Sequence, residues 1–312
     1  MRTFVVLNPR SGNGRTGRHR TRITARIAEA VGPITIGETR GPMDAASLTQ
    51  QALLEGYELI VSVGGDGTLN EVVNGFFRNG GLINPDASLA LVTVGTGGDF
   101  RRTFGIADGL DESLARLKQG KDQRIDIGRL SFVTDDGKPQ TRYFANIASF
   151  GLSGEVVRRV NRARWTKLLG GTFAFRWAAL RAATSYQNRP VRLKVDAAFD
   201  RVVPVSTVCV CNGRFFGGGM MIAPDAVPDD GLFDVIILGD APQAESLSVM
   251  RMIYKGEHVR HPSVTVLRGR SVIATPVEAT GGASVFLDVD GEGPGKLPAV
   301  FEILPQIMRF RH

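Results

Sequence analysis

A run of glycines directly after an apolar segment is the feature that most constrains this 312-residue chain. The segment Leu59-Ile60-Val61-Ser62-Val63 predicts a buried strand, and Gly64-Gly65-Asp66-Gly67-Thr68 follows it at once. A strand that breaks into glycines and restarts as a helix presents backbone N–H groups at the positive end of the helix dipole, which favours phosphate. Asp66 is unexpected there, because phosphates repel a carboxylate unless a cation lies between them or the carboxylate accepts a proton. The loop therefore favours phosphoryl transfer over nucleotide storage alone.

The four residues Thr68-Leu69-Asn70-Glu71 have the spacing of a helix capping box. This pattern predicts that Thr68 is the N-cap of the next helix and that the Glu71 carboxylate reaches back to it. A well-capped helix alone would account for Thr68 and Glu71, but it gives no reason for an acid between glycines.

Apolar and polar segments alternate through the first third of the chain in the pattern of β–α–β units. Strands are predicted at Phe4–Leu7, Ile34–Ile36, Leu59–Val63 and Leu89–Val94, with helical patterns between them. Such repetition predicts a parallel sheet with helices on both faces. Ligands of these sheets bind beyond the carboxyl ends of the strands, so the loops after the first, third and fourth strands are expected to share one edge.

Two further glycine-containing loops follow strands of this predicted sheet. The loop Asn8–Gly17 contains a G-x-G-x-x-G match from Gly12 to Gly17, but four residues separate the match from the strand, unlike a tight dinucleotide-binding turn. A phosphate loop is favoured, and an ordinary strand–helix turn stays open. The loop Gly95–Phe100 again places an acid, Asp99, after glycines, although Asp99 by itself is typical of a helix N-cap.

The character of the sequence changes near Arg124. Short β-like runs dominate from Ile125 onward, and Asp-Gly pairs at 136–137, 230–231 and 290–291 mark turns between them. These patterns predict a second, mostly antiparallel domain. We expect one strand each at Arg142–Ala148 and Val205–Cys211, a helical insertion around Val156–Ala183, and a further helix at Gln243–Ile253.

Composition narrows the functional classes. The net charge of +7 leaves room for an anionic partner such as phosphate, anionic lipid or nucleic acid. No apolar run approaches the ~20 residues of a membrane span, and the N-terminus lacks the pattern of a signal peptide, so a cytoplasmic location is expected. The two cysteines, Cys209 and Cys211, alternate on one predicted strand. We expect them to be buried, unbridged and unable to form a zinc site.

Two acidic clusters stand in the second half of the chain. Asp225, Asp229 and Asp230 precede Gly231, where a solvent-exposed turn is the default and a hard divalent cation is the alternative. The segment Asp288-Val289-Asp290-Gly291-Glu292 is similar to a fragment of a calcium loop. It lacks the other ligands and the flanking helices, so a hairpin turn is expected.

The ordered set of these motifs resembles the diacylglycerol kinase catalytic family, which includes bacterial lipid kinases and, more distantly, sphingosine and ceramide kinases. The resemblance spans nearly the whole chain and rests on Asn8–Gly12, Gly64–Glu71, Gly95–Thr96 with Asp99–Phe100, Asn212–Gly213 with Gly217–Gly219, Pro224–Leu232 and Asp290–Glu292. It implies an N-terminal α/β domain with a parallel sheet like that of NAD kinases and phosphofructokinases, residues 1–124, to which residues 303–312 return. A mostly antiparallel β-sandwich domain for the lipid substrate, residues 125–302, completes the implied fold, with ATP between the domains.

The resemblance also implies a role for each matching residue. Glu292 would accept the proton of the lipid hydroxyl, and Asp66 and Asp99 would organise the catalytic Mg²⁺ and its water. The Asp230 side chain, with the backbone oxygens of Val227 and Leu232, would hold a structural Mg²⁺. The residues implied to contact ATP are Asn8, Ser11, Gly12, Thr39, Gly64, Gly65, Asp66, Gly67, Thr68, Leu69, Asn70 and Thr96.

One position departs from the pattern of the family. The family usually has Asn before the Asp of its Gly-Thr-x-Asn-Asp-Phe segment, and this chain has Gly98 there. The missing amide removes one donor and one acceptor near the nucleotide, which would alter nucleotide positioning or substrate choice. Arginines of the first loop, Arg10, Arg15 and Arg18, could supply positive charge to the phosphates.

A basic and aromatic segment favours contact with lipid. No acid occurs between Val156 and Val195, where arginines and lysines are interleaved with Trp165, Phe173 and Trp177. On an amphipathic segment this composition favours transient binding to an anionic membrane surface, and a solvated basic face is the alternative. No nucleic-acid recognition motif is found, so a nucleic-acid partner is not expected.

Together these observations predict an ATP- and Mg²⁺-dependent lipid kinase that phosphorylates diacylglycerol or a similar lipid alcohol. It is expected to be cytoplasmic and peripheral at the inner face of the membrane. Two alternatives stay open. One is an NAD kinase-like or other small-molecule kinase, since a Gly-Gly-Asp-Gly loop occurs there too. The other is a nucleotide- or lipid-binding regulator without turnover, and Gly98 is the single sequence feature that favours it. No oligomeric state follows from the sequence.

Overall fold

The chain forms two compact units. The computed structural model of the protein describes residues 1–93, 98–162, 186–239, 243–277 and 284–312. The first unit contains Met1–Ile127, Pro228–Asp230 and Pro305–His312, and the second contains Gly128–Val227 and Gly231–Leu304. The boundaries placed at residues 124 and 302 from the sequence stay predictions.

A parallel sheet forms the centre of the first unit. Its strands lie in the order β2 (Ile34–Glu38), β1 (Thr3–Leu7), β3 (Leu59–Val63), β6 (Ser88–Val92) and the C-terminal residues of β19 (Lys296–Arg311). Every neighbouring pair is parallel, and Arg309–Arg311 pair with Ser88–Ala90 of β6. All residues of β1 and β3 are buried, as expected for near-continuous apolar strands covered on both faces.

Helices pack on this sheet through apolar residues one turn apart. Ile23 and Ile27 of one helix and Leu114 and Leu117 of another join the buried strand residues in one core. The helices are α1 (Arg15–Arg18), α2 (Arg20–Val31), α3 (Asp44–Leu54), α4 (Asp66–Gly75), α5 (Asp99–Thr103) and α6 (Leu110–Gln119), and β4 (Phe77–Arg78) pairs with β5 (Gly81–Leu82).

Two antiparallel sheets form the second unit. One has the order β11-β10-β17-β19, with β7 paired to β19 and β8, and the other has the order β16-β15-β12-β9-β18. The strands are β7 (Asp122–Val133), β8 (Pro139–Phe144), β9 (Ile147–Gly151), β10 (Arg189–Val195), β11 (Phe199–Val205), β12 (Thr207–Cys211), β15 (Phe233–Leu238), β16 (Val264–Gly269), β17 (Ser271–Pro276) and β18 (Leu287–Val289). Shorter elements are the hairpin β13 (Phe215–Phe216) and β14 (Met220–Met221), α7 (Leu152–Arg162), α8 (Gln243–Ile253) and a 3₁₀ turn at Glu257–Arg260.

The inward faces of the two antiparallel sheets share one apolar core. Phe144 stacks with Phe233 and Phe150 with Phe301, at centroid distances of 5.7 and 6.1 Å, among buried Val, Leu and Ile side chains. The parallel α/β unit and the antiparallel sandwich confirm the fold class predicted from the sequence.

Local details differ from the prediction at three places. Arg142–Ala148 forms parts of two strands, because the chain breaks at Ala145 and Asn146, where the Asn146 amide donates to the Phe215 carbonyl at 2.8 Å. Val205–Cys211 is likewise divided at Ser206. Helix α7 begins at Leu152, earlier than expected, and residues 163–183 of the predicted helical insertion lie outside the described residues.

The cysteine prediction is confirmed. Cys209 and Cys211 are buried and unbridged, and burial raises the pKa of both thiols. Among the described residues, no helix combines the length and the hydropathy needed to cross a membrane.

An aromatic cluster attaches the C-terminal strand to the short helix α5. Phe310 is fully buried and lies 5.1 Å from Phe100 and 4.8 Å from Phe104, measured between ring centroids. His312 stacks on Phe310 at 5.6 Å. The cluster fixes α5, and therefore Asp99 at its first position, against the edge of the sheet.

We expect Phe310→Ala to lower the free energy of unfolding by about 3–5 kcal/mol, because it leaves a cavity beneath α5. Denaturant unfolding measures this loss, and Val202→Ala, at a side chain that is 55% exposed, is the control with a change within about 0.5 kcal/mol. Equal effects of the two substitutions would contradict the role given to the cluster.

Candidate functional site

The Asp66 carboxylate connects two loops of the first unit. Its Oδ2 accepts the backbone N–H groups of Gly98 and Asp99 at 3.0 and 2.9 Å, and its Oδ1 accepts that of Phe100 at 3.3 Å. These N–H groups open helix α5 and have no partner within the helix. Asp66, the first residue of α4, therefore caps a different helix and brings the loop after β3 to the segment after β6.

The two acids predicted for this site differ in their surroundings. Backbone N–H groups occupy three of about four lone-pair positions on the Asp66 carboxylate, and the described residues leave one position on Oδ1 unoccupied. Asp99 is 6% exposed and pairs with the Arg102 guanidinium one turn along α5. No group of three or more His, Cys, Asp or Glu side chains suited to a metal occurs among the described residues.

Asn8 connects the first loop to the same edge of the sheet. Its backbone N–H donates to the Val63 carbonyl at 3.0 Å, and its amide donates to Thr68 Oγ1 at 2.9 Å. The Ser11 hydroxyl donates to the Asn8 carbonyl at 2.9 Å and lies 2.6 Å from the Thr16 hydroxyl. The loops after β1 and β3 are thus joined directly.

The other described residues predicted to contact ATP lie in the segments that follow the same parallel strands. Thr39 follows β2, is buried, and donates its N–H to the Leu7 carbonyl at 2.9 Å. Gly12 lies in the loop after β1 with φ of 57°. Gly65 precedes α4, and Gly67, Leu69 and Asn70 lie in its first turns, with Leu69 and Asn70 buried. Thr96 lies outside the described residues.

The predicted capping box is wrong. Helix α4 begins at Asp66, two residues before Thr68, with Gly65 as its N-cap and no side-chain cap. Thr68 Oγ1 accepts from Asn8, and Glu71 Oε2 accepts the N–H of Ala45 on α3 at 3.1 Å. Both side chains therefore bind neighbouring segments, because the glycine loop starts the helix earlier than the spacing implies.

Position 64 requires glycine because the Thr68 side chain lies close to its Cα. A Cβ on Gly64 would lie 2.7 Å from the Thr68 Cβ, so a larger residue would displace the side chain that Asn8 binds. The first glycine of the motif therefore keeps Thr68 in place.

Gly98 leaves room for a buried arginine. Its φ is 122°, and a Cβ there would lie 2.7 Å from Arg101 Nε. Arg101 is 7% exposed, donates from Nη1 to the Ile106 carbonyl at 2.7 Å and pairs with Asp108 at 3.4 Å, while its Nε has no partner among the described residues. The space that a side chain at position 98 would occupy is therefore taken by the guanidinium group of Arg101.

Glu292 lies in a tight hairpin of the second unit. Val289 and Glu292 exchange backbone hydrogen bonds of 2.8 and 2.9 Å, and the two residues between them, Asp290 and Gly291, have φ of 49° and 87°. Positive φ at both central positions defines a type I′ turn, which Asp-Gly favours. The expected hairpin turn is confirmed, and Glu292 is exposed at its end.

In the turn predicted to hold a structural metal, several carbonyl oxygens already accept hydrogen bonds from the protein. The carbonyls of Ala226, Pro228 and Asp229 accept from Arg214, the Asp126 N–H and Gln306, at 2.8, 2.7 and 2.9 Å. The Val227 carbonyl, by contrast, accepts no hydrogen bond from the residues that the structure describes. Asp230 is exposed on the same turn.

A cavity of about 330 Å³ lies in the second unit beside α7. Its lining is largely charged or polar: Glu155 and Arg159 form an ion pair of 2.8 Å, and Tyr186, Gln187 and Arg189 also line the cavity. Burial raises the pKa of Tyr186 to about 12. This lining suits a polar group better than an acyl chain.

Three of the buried acids that the structure describes received no role from the sequence: Asp126, Asp288 and Asp234, the last in β15 and 3% exposed. Asp126 in β7 is fully buried and its Oδ1 accepts the Gln306 N–H at 2.6 Å. Asp288 in β18 is 7% exposed. Asp126 and Asp288 each stand between apolar residues of a strand, Ile125-Asp126-Ile127 and Leu287-Asp288-Val289, and an acid in an apolar strand is the signal that could have identified them.

Comparison with known proteins supports a single family. The diacylglycerol kinase catalytic domain matches residues 2–130, and the YegS C-terminal NAD kinase beta sandwich-like domain matches residues 146–311. A diacylglycerol kinase of Staphylococcus carnosus is 29% identical over 306 residues, which cover 98% of this chain and 93% of that protein.

Solved structures support the fold in the same way. A Bacillus anthracis protein superposes over 100% of this chain and 95% of its own, with a TM-score of 0.78 and 22% identity. Yeast NADH kinase superposes over 99% and 78% with a TM-score of 0.51 and 11% identity, which indicates a shared fold and nothing more. The two matching domains, in this order along the whole chain, show that the protein belongs to the diacylglycerol kinase family, a family of lipid kinases.

Proposed function

We propose that this protein is an ATP- and Mg²⁺-dependent kinase that phosphorylates the hydroxyl of diacylglycerol or a similar lipid alcohol. The observation that carries the proposal is the Asp66 carboxylate, held by three backbone N–H groups between two loops that follow strands of a parallel sheet. In a chain that aligns over 98% of its length with a diacylglycerol kinase, this arrangement is best explained as a phosphate-handling edge.

The nucleotide is assigned to the first unit. Backbone N–H groups of the loops that begin at Asn8 and Gly64 would bind the phosphates, with Ser11 and Thr39 beside them. The α4 N-terminus adds partial positive charge at the same edge. Exposed arginines of the first loop, Arg10, Arg15 and Arg18, would strengthen phosphate binding.

Mg²⁺ fits the donor set of this edge. Mg²⁺ keeps several waters in proteins and needs only one or two carboxylates besides phosphate oxygens. The remaining lone pair on Asp66 Oδ1 and the carboxylate of Asp99 are suited to bind such an ion or its waters. When bound, Mg²⁺ would neutralise charge on the transferred phosphoryl group.

Glu292 is assigned as the proton acceptor. As the lipid oxygen bonds to the γ-phosphorus, the bond from that phosphorus to the β-phosphate oxygen breaks, ADP leaves, and the hydroxyl proton passes to the Glu292 carboxylate. The type I′ turn holds the Glu292 backbone by two hydrogen bonds, which limits the positions that its side chain can sample.

The proposed substrate and the proposed membrane contact have different support. A lipid alcohol is the acceptor that the relatives' name indicates. Transient binding to an anionic membrane surface remains our proposal for how the protein reaches it, and the segment that suggests this binding falls largely outside the described residues. For the turn before Gly231, the Asp230 carboxylate with the carbonyls of Val227 and Leu232 is proposed as a structural Mg²⁺ site.

A small-molecule kinase of NAD kinase type remains the second candidate. The shared fold with yeast NADH kinase is the observation that favours it. The match of a diacylglycerol kinase over 98% of this chain favours the lipid acceptor.

We expect Asp66→Asn to abolish kinase activity, with a loss of at least about 100-fold, and to cost about 1–2 kcal/mol of stability. An amide keeps one acceptor oxygen but replaces the other by an NH2 donor, so at least one of the N–H groups of Gly98 to Phe100 loses its acceptor, and the negative charge is removed. The measurement is transfer of label from γ-labelled ATP to diacylglycerol in mixed micelles.

Asp196→Asn is the matched control for Asp66→Asn. Asp196 also accepts two backbone N–H groups, those of Arg270 and Ser271 at 2.9 and 2.8 Å, but it lies in the second unit. Near-normal turnover of Asp66→Asn would contradict the assignment.

We expect Glu292→Gln to lower kcat by about 10²–10⁴-fold, because glutamine cannot accept the hydroxyl proton. The KM for ATP should stay near its original value, since the nucleotide is assigned to the first unit. Steady-state kinetics with Glu257→Gln, an exposed glutamate on the 3₁₀ turn, provide the control. An unchanged kcat would contradict the assignment of Glu292 as proton acceptor.

We expect Gly98→Asn to lower the stability of the protein and to raise its KM for ATP, although asparagine is the usual residue of the family at this position. The substitution adds a Cβ against Arg101 and a side chain at φ of 122°, which costs about 1–3 kcal/mol. Thermal unfolding and the KM for ATP should both show the loss, and Gly98→Asn with Arg101→Ala should recover part of it. A gain of activity in Gly98→Asn alone would contradict this coupling.

A further inference from the structure

The lining of the cavity beside α7 includes polar groups that have no partner among the described residues. Tyr186, Arg189 and Ser284 belong to this lining. The Tyr186 hydroxyl is buried and makes no hydrogen bond with the residues that the structure describes. The Arg189 side chain, at the start of β10, likewise forms no ion pair or hydrogen bond with them. A buried polar group without a partner costs free energy, so a ligand that pairs with both side chains would stabilise this part of the fold.

Two charges act on the Tyr186 hydroxyl inside the cavity. Burial raises the pKa of Tyr186 to about 12, the positive charge of Arg189 opposes this rise, and the negative charge of Glu155 adds to it. The hydroxyl therefore lies close enough to Arg189 and Glu155 to interact with both. Because its pKa is far above neutral, the group keeps its proton and can donate a hydrogen bond to an anion.

The lining carries more positive than negative charge. Of its described residues, Glu155 is the acid, and Arg159 and Arg189 are the bases. Glu155 and Arg159 pair with each other at 2.8 Å, which leaves the charge of Arg189 unbalanced within the lining. A guanidinium group stays charged at physiological pH and binds phosphate or carboxylate through parallel N–H groups. The cavity therefore favours an anion.

The number of donors favours a phosphate over a carboxylate. Arg189 carries five N–H groups, and Tyr186 and Ser284 carry one hydroxyl each. A carboxylate accepts about four hydrogen bonds on two oxygens, whereas a phosphate monoester offers three acceptor oxygens and up to two negative charges. The volume of about 330 Å³ lies in the range of small-molecule sites. Arg159 and Gln187 are exposed, which gives such a group access from solvent.

We propose that this cavity is a binding site for a phosphate monoester group, in which Arg189 pairs with the phosphate oxygens and the Tyr186 hydroxyl donates to them. The residues of this site belong to the second unit, whereas the nucleotide is assigned to the first. The group can come from inorganic phosphate or from the headgroup of a phosphorylated lipid, the kind of product that the proposed reaction forms. Only the second source rests on the proposed function.

Equilibrium dialysis with labelled inorganic phosphate tests the site itself. Saturating Mg²⁺ and a non-hydrolysable ATP analogue are present throughout, so that the phosphate-handling edge of the first unit does not compete for the probe. We expect Arg189→Gln to weaken phosphate binding at least about tenfold, because a charged hydrogen-bond donor is lost. Tyr186→Phe keeps the ring and loses the hydroxyl, so we expect it to weaken binding about threefold to tenfold.

Lys194→Gln is the matched control. Lys194 is exposed on the same strand as Arg189, and its replacement changes the net charge by the same amount. We expect its phosphate affinity to stay within about twofold of the wild type, with a Tm near that of the wild type for all three variants. Equal affinities of Arg189→Gln and Lys194→Gln would overturn the proposal. If Arg189→Gln does not fold, a wild-type affinity of Tyr186→Phe would overturn it as well.

Vesicle flotation distinguishes the two sources of the phosphate group. The vesicles are phosphatidylcholine with about 10 mol% of either phosphatidic acid, a monoester, or phosphatidylglycerol, a diester of the same sign of charge. For a lipid source, Arg189→Gln should bind the phosphatidic acid vesicles less than Lys194→Gln does, and both variants should bind the phosphatidylglycerol vesicles alike. Equal binding of the two variants to both vesicles, with dialysis that depends on Arg189, would assign the site to free phosphate. Dependence on Arg189 in neither experiment would overturn the site.

The outcomes separate this site from the proposed function. Binding of phosphate that depends on Arg189, in a protein that phosphorylates no lipid, would contradict the proposed function and leave the site in place. An active lipid kinase in which no phosphate binding depends on Arg189 would overturn the site and leave the proposed function in place.

Discussion

The first unit depends on one carboxylate that binds three backbone N–H groups. The edge of a parallel sheet collects loops from different strands, and backbone hydrogen bonds such as those from Asn8 to Val63 and from Gly64 to Val92 join the first residues of these loops. Asp66 supplies a further connection by capping helix α5 from the start of α4, and Asn8 adds another through Thr68. A charge-assisted bond to a backbone N–H group is stronger than a neutral one, so this small set of contacts can hold a phosphate-handling edge in shape.

This arrangement changes the role of the acid in the glycine motif. An acid among phosphates is explained by a cation that it binds or by a proton that it accepts. The structure adds a third explanation, because Asp66 binds the N–H groups at the start of a neighbouring helix, which have no partner within that helix. The same charge can hold α5 and attract a divalent cation, because three N–H groups leave one lone pair of the carboxylate unused. The second unit also contains two acids in contrasting surroundings. There Glu292 is exposed at the end of the hairpin, whereas Asp288 in β18 is buried, and burial raises the pKa of its carboxyl group to about 7.

Much of this architecture is readable from the sequence. Continuous apolar runs predicted the buried parallel strands, and Asp290-Gly291 predicted the tight hairpin, because both patterns act over a few neighbouring residues. The capping box failed because Thr68 and Glu71 bind Asn8 and Ala45, which are far away in the sequence. Arg101, Asp126 and Asp288 were missed for a related reason. Their significance depends on burial and on partners that only the folded chain brings near.

The identity of the phosphorylated product is the most direct test of the proposed lipid kinase activity. The wild-type protein would be incubated with γ-labelled ATP and Mg²⁺, once with a total lipid extract and once with an aqueous metabolite extract containing NAD. We expect label in the organic phase, on a phosphate monoester of a diacylglycerol or similar lipid alcohol, and none on a water-soluble acceptor. Label on NAD or another small molecule, with no labelled lipid, would contradict this activity.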